Sequence, residues 1–260
     1  MLPIQYHYEE PAGSSGARNV GIRASSSQYI IFVHDDVRSI RRAIHAYQEA
    51  FVKSAGRSFF GGPVFPDYDK PPPEWLIKFL PDSARGFSLG DETRTIDPPP
   101  YFLGGNFAVP RSAFDEVGLF EGPCTIGVGG GGLGEDTRLQ KRLRVAGYSA
   151  VYVALAGALH YVPKLRCDEA FVRQRRWRTG YGEGELTAAE TGHRRIVFGA
   201  PASLWRAAVR ACWYYAQILG PGASKEERFR RLLAIYYGFG RIQGCRHAAR
   251  SRSLERDAQE

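Results

Sequence analysis

The hydrophobic positions in the first part of the chain alternate between strand-like and helix-like periods. Tyr29–Val33 is a continuous apolar run, typical of a strand buried on both faces of a parallel sheet. The next segment predicts an amphipathic helix ending at Gly56, and Phe59–Val64 predicts a second strand. The apolar face of that helix contains Ile40, Ile44, Tyr47 and Phe51. This order predicts an α/β domain, with helices flanking a parallel or mixed sheet.

Similar patterns continue to residue 163, with one long interruption. Pro66–Pro100 is rich in proline and aromatic residues and predicts a long irregular excursion. A later helix carries Leu139, Leu143 and Ala146 on one face and closes at Gly147. The other predicted elements are a strand at Leu2–Tyr8, a turn at Pro11–Gly16, a helix within Ala17–Ser27, a strand within Tyr101–Pro110, a helix at Arg111–Val117 and a strand at Tyr148–Leu155.

The last third of the chain has a different pattern, so we predict one domain over residues 1–163 and a basic, helical region over 164–260. Two amphipathic helices are separated by Gly220-Pro221-Gly222, and Ser224 with Glu227 predicts a capping box for the second. One interpretation is a helical hairpin packed on the α/β domain. The other is contact with a membrane surface, because the apolar stripes contain tryptophan and tyrosine beside arginine. The stripes are Trp205, Ala208, Val209, Cys212, Trp213 and Ala216, and then Phe229, Leu232, Leu233, Tyr236 and Tyr237.

The charge balance narrows the choice of partners. The formal net charge is +8, and the basic excess lies after residue 138. This predicts an anionic partner, which could be a phosphate-bearing small molecule, a membrane surface or a nucleic acid. We expect no nucleic acid, because the arginine-rich region 166–178 contains no recognised binding module.

The cysteines and the absence of targeting sequences predict the cellular compartment of the protein. The four cysteines lie far apart without metal-ligand spacing, which predicts free thiols in a reducing compartment, with a disulfide as the alternative. They are Cys124, Cys167, Cys212 and Cys245. Neither a signal-peptide pattern nor an apolar run that could span a bilayer occurs. We therefore expect a cytoplasmic protein, peripheral at the inner face of the plasma membrane if its helices lie on lipid.

The glycine-rich segment Gly127–Thr137, GVGGGGLGEDT, delivers two adjacent carboxylates to the start of a helix. Glycine is tolerated where a chain bends sharply or lets a substrate approach its backbone. Glu135 and Asp136 could cap the helix and complement its dipole. Asp136 could instead be a general base at the edge of a cleft.

Other candidate ligand-binding residues follow predicted strands. Asp35 and Asp36 come directly after Tyr29–Val33, where two carboxylates could hold Mg²⁺ or Mn²⁺ against a diphosphate or simply form a solvated turn. His160 follows a later strand and could be a further ligand or an ordinary polar residue. Gly104-Gly105-Asn106 would let a ligand approach the backbone and add an amide donor, or would form a tight bend.

Taken in order, these motifs resemble glycosyltransferase family 2 over roughly residues 17–162. The residues that carry the resemblance are Ala17-Arg18-Asn19 with Gly21, YIIFVHDDV at 29–37, GGNFAVPRSAFDEVGLF at 104–120, GEDTRLQKRLRVAGY at 134–148 and His160. The resemblance implies a GT-A fold, a nucleotide-diphosphate-sugar donor, a divalent metal (Mn²⁺ or Mg²⁺) and an inverting displacement onto a glycan or lipid-linked acceptor.

The resemblance also implies roles for individual residues. Asp36 would be a metal ligand with Asp35 beside it, and His160 would complete the metal or diphosphate site. Asp136 would be the catalytic base, with Glu135 aiding acceptor binding. Arg18 and Asn19 would lie near the donor, Gly104, Gly105 and Asn106 would line the sugar pocket, and Arg173 or Arg176 would neutralise the leaving diphosphate.

Two departures from the family pattern bear on activity. His34 stands where family members commonly have the first aspartate of an Asp-x-Asp motif. The strands that hold the nucleotide base in the family have no counterpart before Ala17, so we expect a domain incomplete at its N-terminal side. The alternative to an active transferase is therefore a degenerate, non-catalytic remnant that binds an anionic surface or partner.

Overall fold

The computed structural model describes residues 4–8, 10, 13–54, 56–97, 100–121, 135–190, 196–220 and 222–257. These residues form two compact units. The first contains the described residues up to 72, those from 77 to 121 and those from 135 to 167. The second contains residues 73–76 and the described residues from 168 onwards. The predicted glycine-rich loop lies outside the described residues as far as Gly134.

A five-stranded mixed sheet is the centre of the first unit. Its strand order is β1-β6-β3-β7-β5, and only β3 and β7 run parallel. The strands are β1 (Tyr29–Val33), β3 (Ser58–Gly61), β5 (Arg94–Ile96), β6 (Asn106–Pro110) and β7 (Ser149–Tyr152). A mixed order with one parallel pair still requires a crossover helix, which the chain supplies before β7.

A smaller sheet of three strands lies in the same unit, in the order β2-β8-β4. Its strands are β2 (Val37–Ser39), β4 (Val64–Tyr68) and β8 (Ala158–Val162), and β8 is antiparallel to β2 and parallel to β4. Because β2 follows β1 after only three residues, His34 to Asp36 form the link between the two sheets.

Helices cover both faces of the five-stranded sheet. Alternate residues of β3 point to opposite sides, so Phe59 joins one apolar cluster and Phe60 the other. The first cluster includes residues of α1 (Ser14–Ala24), α5 (Ala113–Val117) and α6 (Glu135–Val145), and the second includes residues of α2 (Ala43–Lys53). Two short helices, α3 (Glu74–Ile77) and α4 (Asp82–Arg85), and a 3₁₀ turn at Lys164–Arg166 complete the elements before residue 168.

The second unit is helical. Its elements after residue 168 are α7 (Glu169–Glu190), the hairpin strands β9 (Ile196–Val197) and β10 (Ala200–Pro201), α8 (Ala202–Ala216) and α9 (Lys225–Asp257). The predicted capping box is confirmed on one side, since the Glu227 N–H donates to Ser224 Oγ at 3.1 Å. None of the described helices is both long and apolar enough to cross a bilayer. Among the described cysteines, Cys212 and Cys245 are free thiols, as predicted.

The mixed α/β architecture is confirmed, but several elements differ from their predictions. The apolar run Tyr29–Val33 is a strand, yet it is antiparallel to its neighbour at one end of the strand order, and only Phe32 is fully buried. Phe59–Val64 is divided between β3 and β4, which belong to different sheets. Residues 4–8 of the predicted N-terminal strand are not in a strand.

The helical predictions need similar corrections. The helix after β1 begins at Ala43, so Ile40 precedes it, and Ile44 is exposed. Pro66–Pro100 was predicted to be irregular, but it contains two short helices and two stretches of strand. The second unit has a third helix, α7, and α9 packs against both α7 and α8, so two helices alone do not describe it.

Candidate active site

Arg18 joins the acidic pair at the start of α6 to helix α1. Its Nη1 atom donates to Asp136 Oδ1 at 2.7 Å and lies 3.6 Å from Glu135 Oε1. Ser14, one turn earlier on α1, donates its hydroxyl to Glu135 Oε1 at 2.9 Å. Arg18 also lies over the Phe120 ring, 5.1 Å from its centroid, which helps to hold the guanidinium in place. Residues 118 apart in sequence therefore form one part-buried ion-pair network.

The same guanidinium reaches His34 at the end of β1. The distance from Arg18 Nη2 to His34 Nε2 is 2.6 Å. Because a guanidinium has only donors, the imidazole nitrogen must be the acceptor, and the proton of neutral His34 lies on Nδ1. Partial desolvation and the Arg18 charge lower the His34 pKa, while the carboxylates of Asp36 and Asp35 oppose that change. Arg18 thus favours a neutral His34 in one tautomer.

The Gly104-Gly105 pair makes room for two of these side chains. A Cβ atom on Gly104 would clash with the Asp136 carboxylate, which would have to move from its present position. A Cβ on Gly105 would lie 3.1 Å from His34 Nδ1, tighter than an ordinary contact. We predicted that a ligand would approach the backbone at these glycines. In this structure the side chains of Asp136 and His34 lie against them. That Gly104 and Gly105 also line a sugar pocket stays a prediction.

Burial makes the Asp136 carboxylate more basic than that of an ordinary aspartate. Its pKa is raised to about 6, chiefly by burial, with Glu135 also raising it and Arg18 lowering it. A carboxylate with this pKa is largely ionised at neutral pH, yet it binds a proton more readily than an ordinary aspartate. The surroundings of Asp136 therefore suit proton abstraction as well as ion pairing.

Asp36 and His160 form a second polar cluster beside the first. Asp36 Oδ2 lies 3.4 Å from His160 Nε2 and 3.2 Å from Arg166 Nη1. His160 was expected to follow a strand, but it lies inside β8, paired with Val37, and its side chain is buried. The Asp36 Oδ1 and His160 Nδ1 atoms are buried without a hydrogen-bond partner. Buried polar atoms without partners are uncommon and suggest an additional ligand.

These two residues fit a divalent cation that is also held by its substrate. Carboxylate oxygen and imidazole nitrogen are suitable ligands for Mn²⁺, and Mg²⁺ sites commonly use one or two protein carboxylates with substrate phosphates. No group of three or more histidine, cysteine, aspartate or glutamate side chains with metal-binding geometry occurs among the described residues. A cation here would therefore need further oxygen ligands, such as those of a diphosphate. The exposed Asp35 stays a predicted ligand.

Two predicted ligand-binding amides have protein partners instead. Asn106 is 4% exposed; its NH₂ group donates to the carbonyls of Pro63 and Ala156, and its Oδ1 accepts from the Tyr47 hydroxyl at 2.9 Å. Both hydrogens of the Asn106 amide are thus used by protein carbonyls in this structure, and its role in ligand binding stays a prediction. The Asn19 side chain exchanges hydrogen bonds with the backbone of Phe120, at 3.0 and 2.9 Å. A substrate role for Asn19 stays a prediction.

Arg176 belongs to the helical unit, where its guanidinium lies 4.4 Å from the centroid of the Tyr237 ring. Arg173 of the same helix lines a groove of about 380 Å³ with Ala170, Gln174, Trp177 and Tyr236. A role for either arginine at a diphosphate stays a prediction. Sequence reasoning missed Ser14 and Arg166, and neither residue stands in a motif that would have indicated its contacts.

The chain resembles solved structures of glycosyltransferases at low sequence identity. No protein-family model matches the chain. No curated protein matches it. The crystal structure of GalNAc-T7 with UDP, GalNAc and Mn²⁺ aligns at 14% identity and a TM-score of 0.45, covering 88% of this chain and 42% of that one. The mannosyltransferase PcManGT from Pyrobaculum calidifontis, in complex with GDP-Man and Mn²⁺, aligns at 17% identity and a TM-score of 0.42.

The second alignment covers 93% of this chain and 66% of the mannosyltransferase. This chain thus spans less than two thirds of either protein. At such identities and TM-scores, neither likeness decides the family or the activity of this chain.

Proposed function

We propose that this protein is an inverting glycosyltransferase that moves a sugar from a nucleotide-diphosphate-sugar donor to a hydroxyl acceptor. The acceptor would be a glycan or a lipid-linked precursor in cell-envelope polysaccharide synthesis. The observation that carries the proposal is the half-buried Asp136, whose pKa is about 6 and which Arg18 holds against Gly104. The family resemblance of the surrounding motifs supports the same assignment.

Asp136 would act as the base in a single displacement. The carboxylate takes the proton of the acceptor hydroxyl as that oxygen attacks the anomeric carbon. The bond from the anomeric carbon to the diphosphate oxygen breaks, and its electron pair leaves with the nucleoside diphosphate. Attack from the face opposite the leaving group inverts the anomeric configuration. The proton remains on Asp136 until it passes to solvent.

Arg18 would orient the base during this step. Its Nη1 atom bonds to Oδ1 of Asp136, while Oδ2 of the same carboxylate lies against Gly104. The positive charge of Arg18 favours the ionised form of the half-buried carboxylate and so opposes the effect of burial on its pKa. Glu135, held by Ser14, would help to bind the acceptor.

Asp36 and His160, with Asp35 beside them, would hold Mn²⁺ or Mg²⁺. Such an ion would neutralise the charge that develops on the departing diphosphate. Arg166, 3.2 Å from Asp36, could exchange its carboxylate contact for a donor phosphate when the donor binds. Arg173 and Arg176 are further candidates for the diphosphate.

The second candidate function is a non-catalytic remnant that binds an anionic surface or partner. One observation favours this function. The carboxylates of both aspartates already have arginine partners: Arg18 pairs with Asp136, and Arg166 pairs with Asp36. In a remnant these ion pairs would be purely structural.

Binding and release of nucleotide distinguish the two functions. The purified chain would be incubated with Mn²⁺ and a panel of uridine, guanosine and thymidine diphosphate sugars, with binding followed by calorimetry and nucleoside diphosphate release by chromatography. A transferase should bind at least one donor in a Mn²⁺-dependent way and release its nucleotide slowly, even without an acceptor. Asp36→Asn should weaken that binding, whereas Asp67→Asn, which removes a carboxylate from the Arg38 ion pair, should not. If no donor binds, the remnant is the better description.

A further inference from the structure

The hairpin that precedes α8 presents a phenylalanine to solvent in an unfavourable backbone conformation. β9 and β10 are joined by Phe198 and Gly199, both with positive φ, at 47° and 76°. This position in a two-residue hairpin normally favours asparagine, aspartate or glycine. The Phe198 side chain is nevertheless 81% exposed, so packing within the described residues does not explain the choice of phenylalanine. A large apolar residue kept at such a position suggests a function for its ring.

Phe198 continues into an apolar stripe along α8. Its ring meets Trp205 edge-on, with 6.3 Å between centroids. Trp205, Val209 and Trp213 follow at intervals of four residues, which places them on one side of the helix. Val209 is 67% exposed and Trp213 is 63% exposed. The helix buries Leu204 and Ala208, and Trp205 is half-buried against the same cluster, whereas Val209 and Trp213 are directed away from the interior of their unit.

Arginines lie alongside this stripe. Arg206 and Arg210 each follow a stripe residue by one position, and both are exposed. No ion pair joins either arginine to a carboxylate in the described part of the chain. The sequence from 191 to 225 contains five lysine and arginine residues and no acidic residue. Residues 168–260 contain 17 lysines and arginines against 10 aspartates and glutamates, so nearly all of the net +8 lies there.

We propose that the hairpin tip and this face of α8 form a docking surface for an anionic lipid bilayer. Phe198, Val209 and Trp213 would enter the boundary between headgroups and acyl chains, where aromatic rings are favoured. Arg206 and Arg210 would contact anionic headgroups from beside the stripe. A second copy of the chain fits this surface less well, because antiparallel pairing would bring four arginines together without a carboxylate.

Vesicle co-sedimentation tests the proposal without any requirement for enzymatic activity. The full chain is mixed with vesicles of phosphatidylcholine, alone or with about one third phosphatidylglycerol, at about 0.1 M and about 0.5 M salt. We expect binding to the anionic vesicles only, and weaker binding at the higher salt concentration. The key variant is Phe198→Asn, because asparagine suits the positive φ and should preserve the hairpin while it removes the ring.

The expected changes are large enough to measure. Phe198→Asn and Trp213→Ser should each reduce the partition coefficient about tenfold, and Arg206→Gln or Arg210→Gln about fivefold. Val52→Ser and Lys53→Gln, on the exposed side of α2, are the matched controls and should bind as the wild type does. Circular dichroism confirms that each variant is folded.

Three results would overturn the proposal. One is the absence of binding to anionic vesicles at the lower salt concentration. Another is unchanged binding by the folded Phe198→Asn variant. The third is concentration-dependent self-association that Trp213→Ser abolishes, since that result assigns the stripe to a second copy of the chain.

Discussion

Two regions of the molecule differ in how their interior groups are packed. We call the residues around Asp136 and Asp36 in the first unit the acid site, and the contact between α7 and α9 in the second unit the helix contact. At the acid site, Asp136 is half-buried and its pKa is raised, and the buried Asp36 Oδ1 atom has no hydrogen-bond partner among the described residues. In the second unit, the backbones of α7 and α9 touch at glycines. A Cβ on Gly240 would lie 2.2 Å from the Trp177 carbonyl oxygen, and one on Gly184 would lie 2.1 Å from that of Arg241.

This contrast separates stability from function. Close backbone packing leaves no room for change and favours one arrangement of two helices. Perturbed carboxylates and unpaired polar atoms destabilise the folded state locally and are typical of functional sites. We therefore expect substitutions at the acid site to alter chemistry without lowering the stability of the fold at neutral pH. Substitutions at the helix contact should do the reverse.

The largest expected effect is the loss of transfer in Asp136→Asn. Asparagine is nearly the same size but cannot accept the acceptor proton, and general-base catalysis contributes about 10²- to 10⁴-fold to a rate. Nucleotide release with the best donor should fall by that factor, while donor affinity changes little. Asp115→Asn, which removes an exposed carboxylate, is the control and should react like the wild type. Equal turnover by wild type and Asp136→Asn would exclude Asp136 as the base.

The next effect is structural and concerns two glycines of α9. Alanine at either position gains up to about 1 kcal/mol of helix propensity. At Gly240 the new methyl group would meet the Trp177 carbonyl, so we expect a net loss of about 3 kcal/mol in the free energy of unfolding. At Gly238 the nearest atoms belong to Ala208 at 3.6 Å, an ordinary contact, so Gly238→Ala should be neutral or stabilising. Urea denaturation followed by helical circular dichroism measures both variants, and equal stabilities would contradict the close contact.

Strands, helices and helix caps that depend on local sequence patterns could be predicted from the sequence. The strand Tyr29–Val33, the helix carrying Leu139 and Leu143, and the Ser224 cap have periodicity or local hydrogen bonding as their signals, and the structure contains all three. The prediction that Tyr29–Val33 lies in a parallel sheet was wrong, because a continuous apolar run is also compatible with a partly covered antiparallel strand.

The contacts of polar residues could not be predicted in the same way. Asn106 follows two glycines and resembled a ligand-binding amide, but its partners come from three distant segments of the chain. The Arg18–Asp136 bond likewise joins α1 to α6 and exists only after both helices pack on the sheet. Asp136 was predicted to be a base from its motif, whereas its burial and its arginine partner depend on the fold.

The third expected effect is a pH dependence of stability that arises from Asp136 at the acid site. The Asp136 pKa is about 6 in the folded protein against 3.8 as the ordinary value, so the folded state binds more protons between these values. Stability from this group is therefore present below about pH 4 and is lost as pH rises through about 6. Between those pH values the wild type should lose about 2 to 3 kcal/mol relative to Asp136→Asn. Chemical denaturation at several pH values measures the difference.

The opposite trend would mean that the Arg18 ion pair outweighs burial at Asp136. A second readout checks the same pKa. If Asp136 is the base, nucleotide release by the wild type should fall as the pH drops below about 6, because protonation removes the acceptor of the hydroxyl proton.

The smallest effect tests whether Asn106 belongs to the framework or to the substrate site. Tyr47→Phe removes the hydroxyl that donates to Asn106 Oδ1 and leaves that oxygen buried without this donor. The loss should be about 1 to 2 kcal/mol in the free energy of unfolding, with donor KM and turnover unchanged. Tyr29→Phe is the matched control, because the Tyr29 ring stacks on Phe51 and its hydroxyl makes no hydrogen bond within the described residues. A raised donor KM in Tyr47→Phe, with stability unchanged, would return Asn106 to the substrate site.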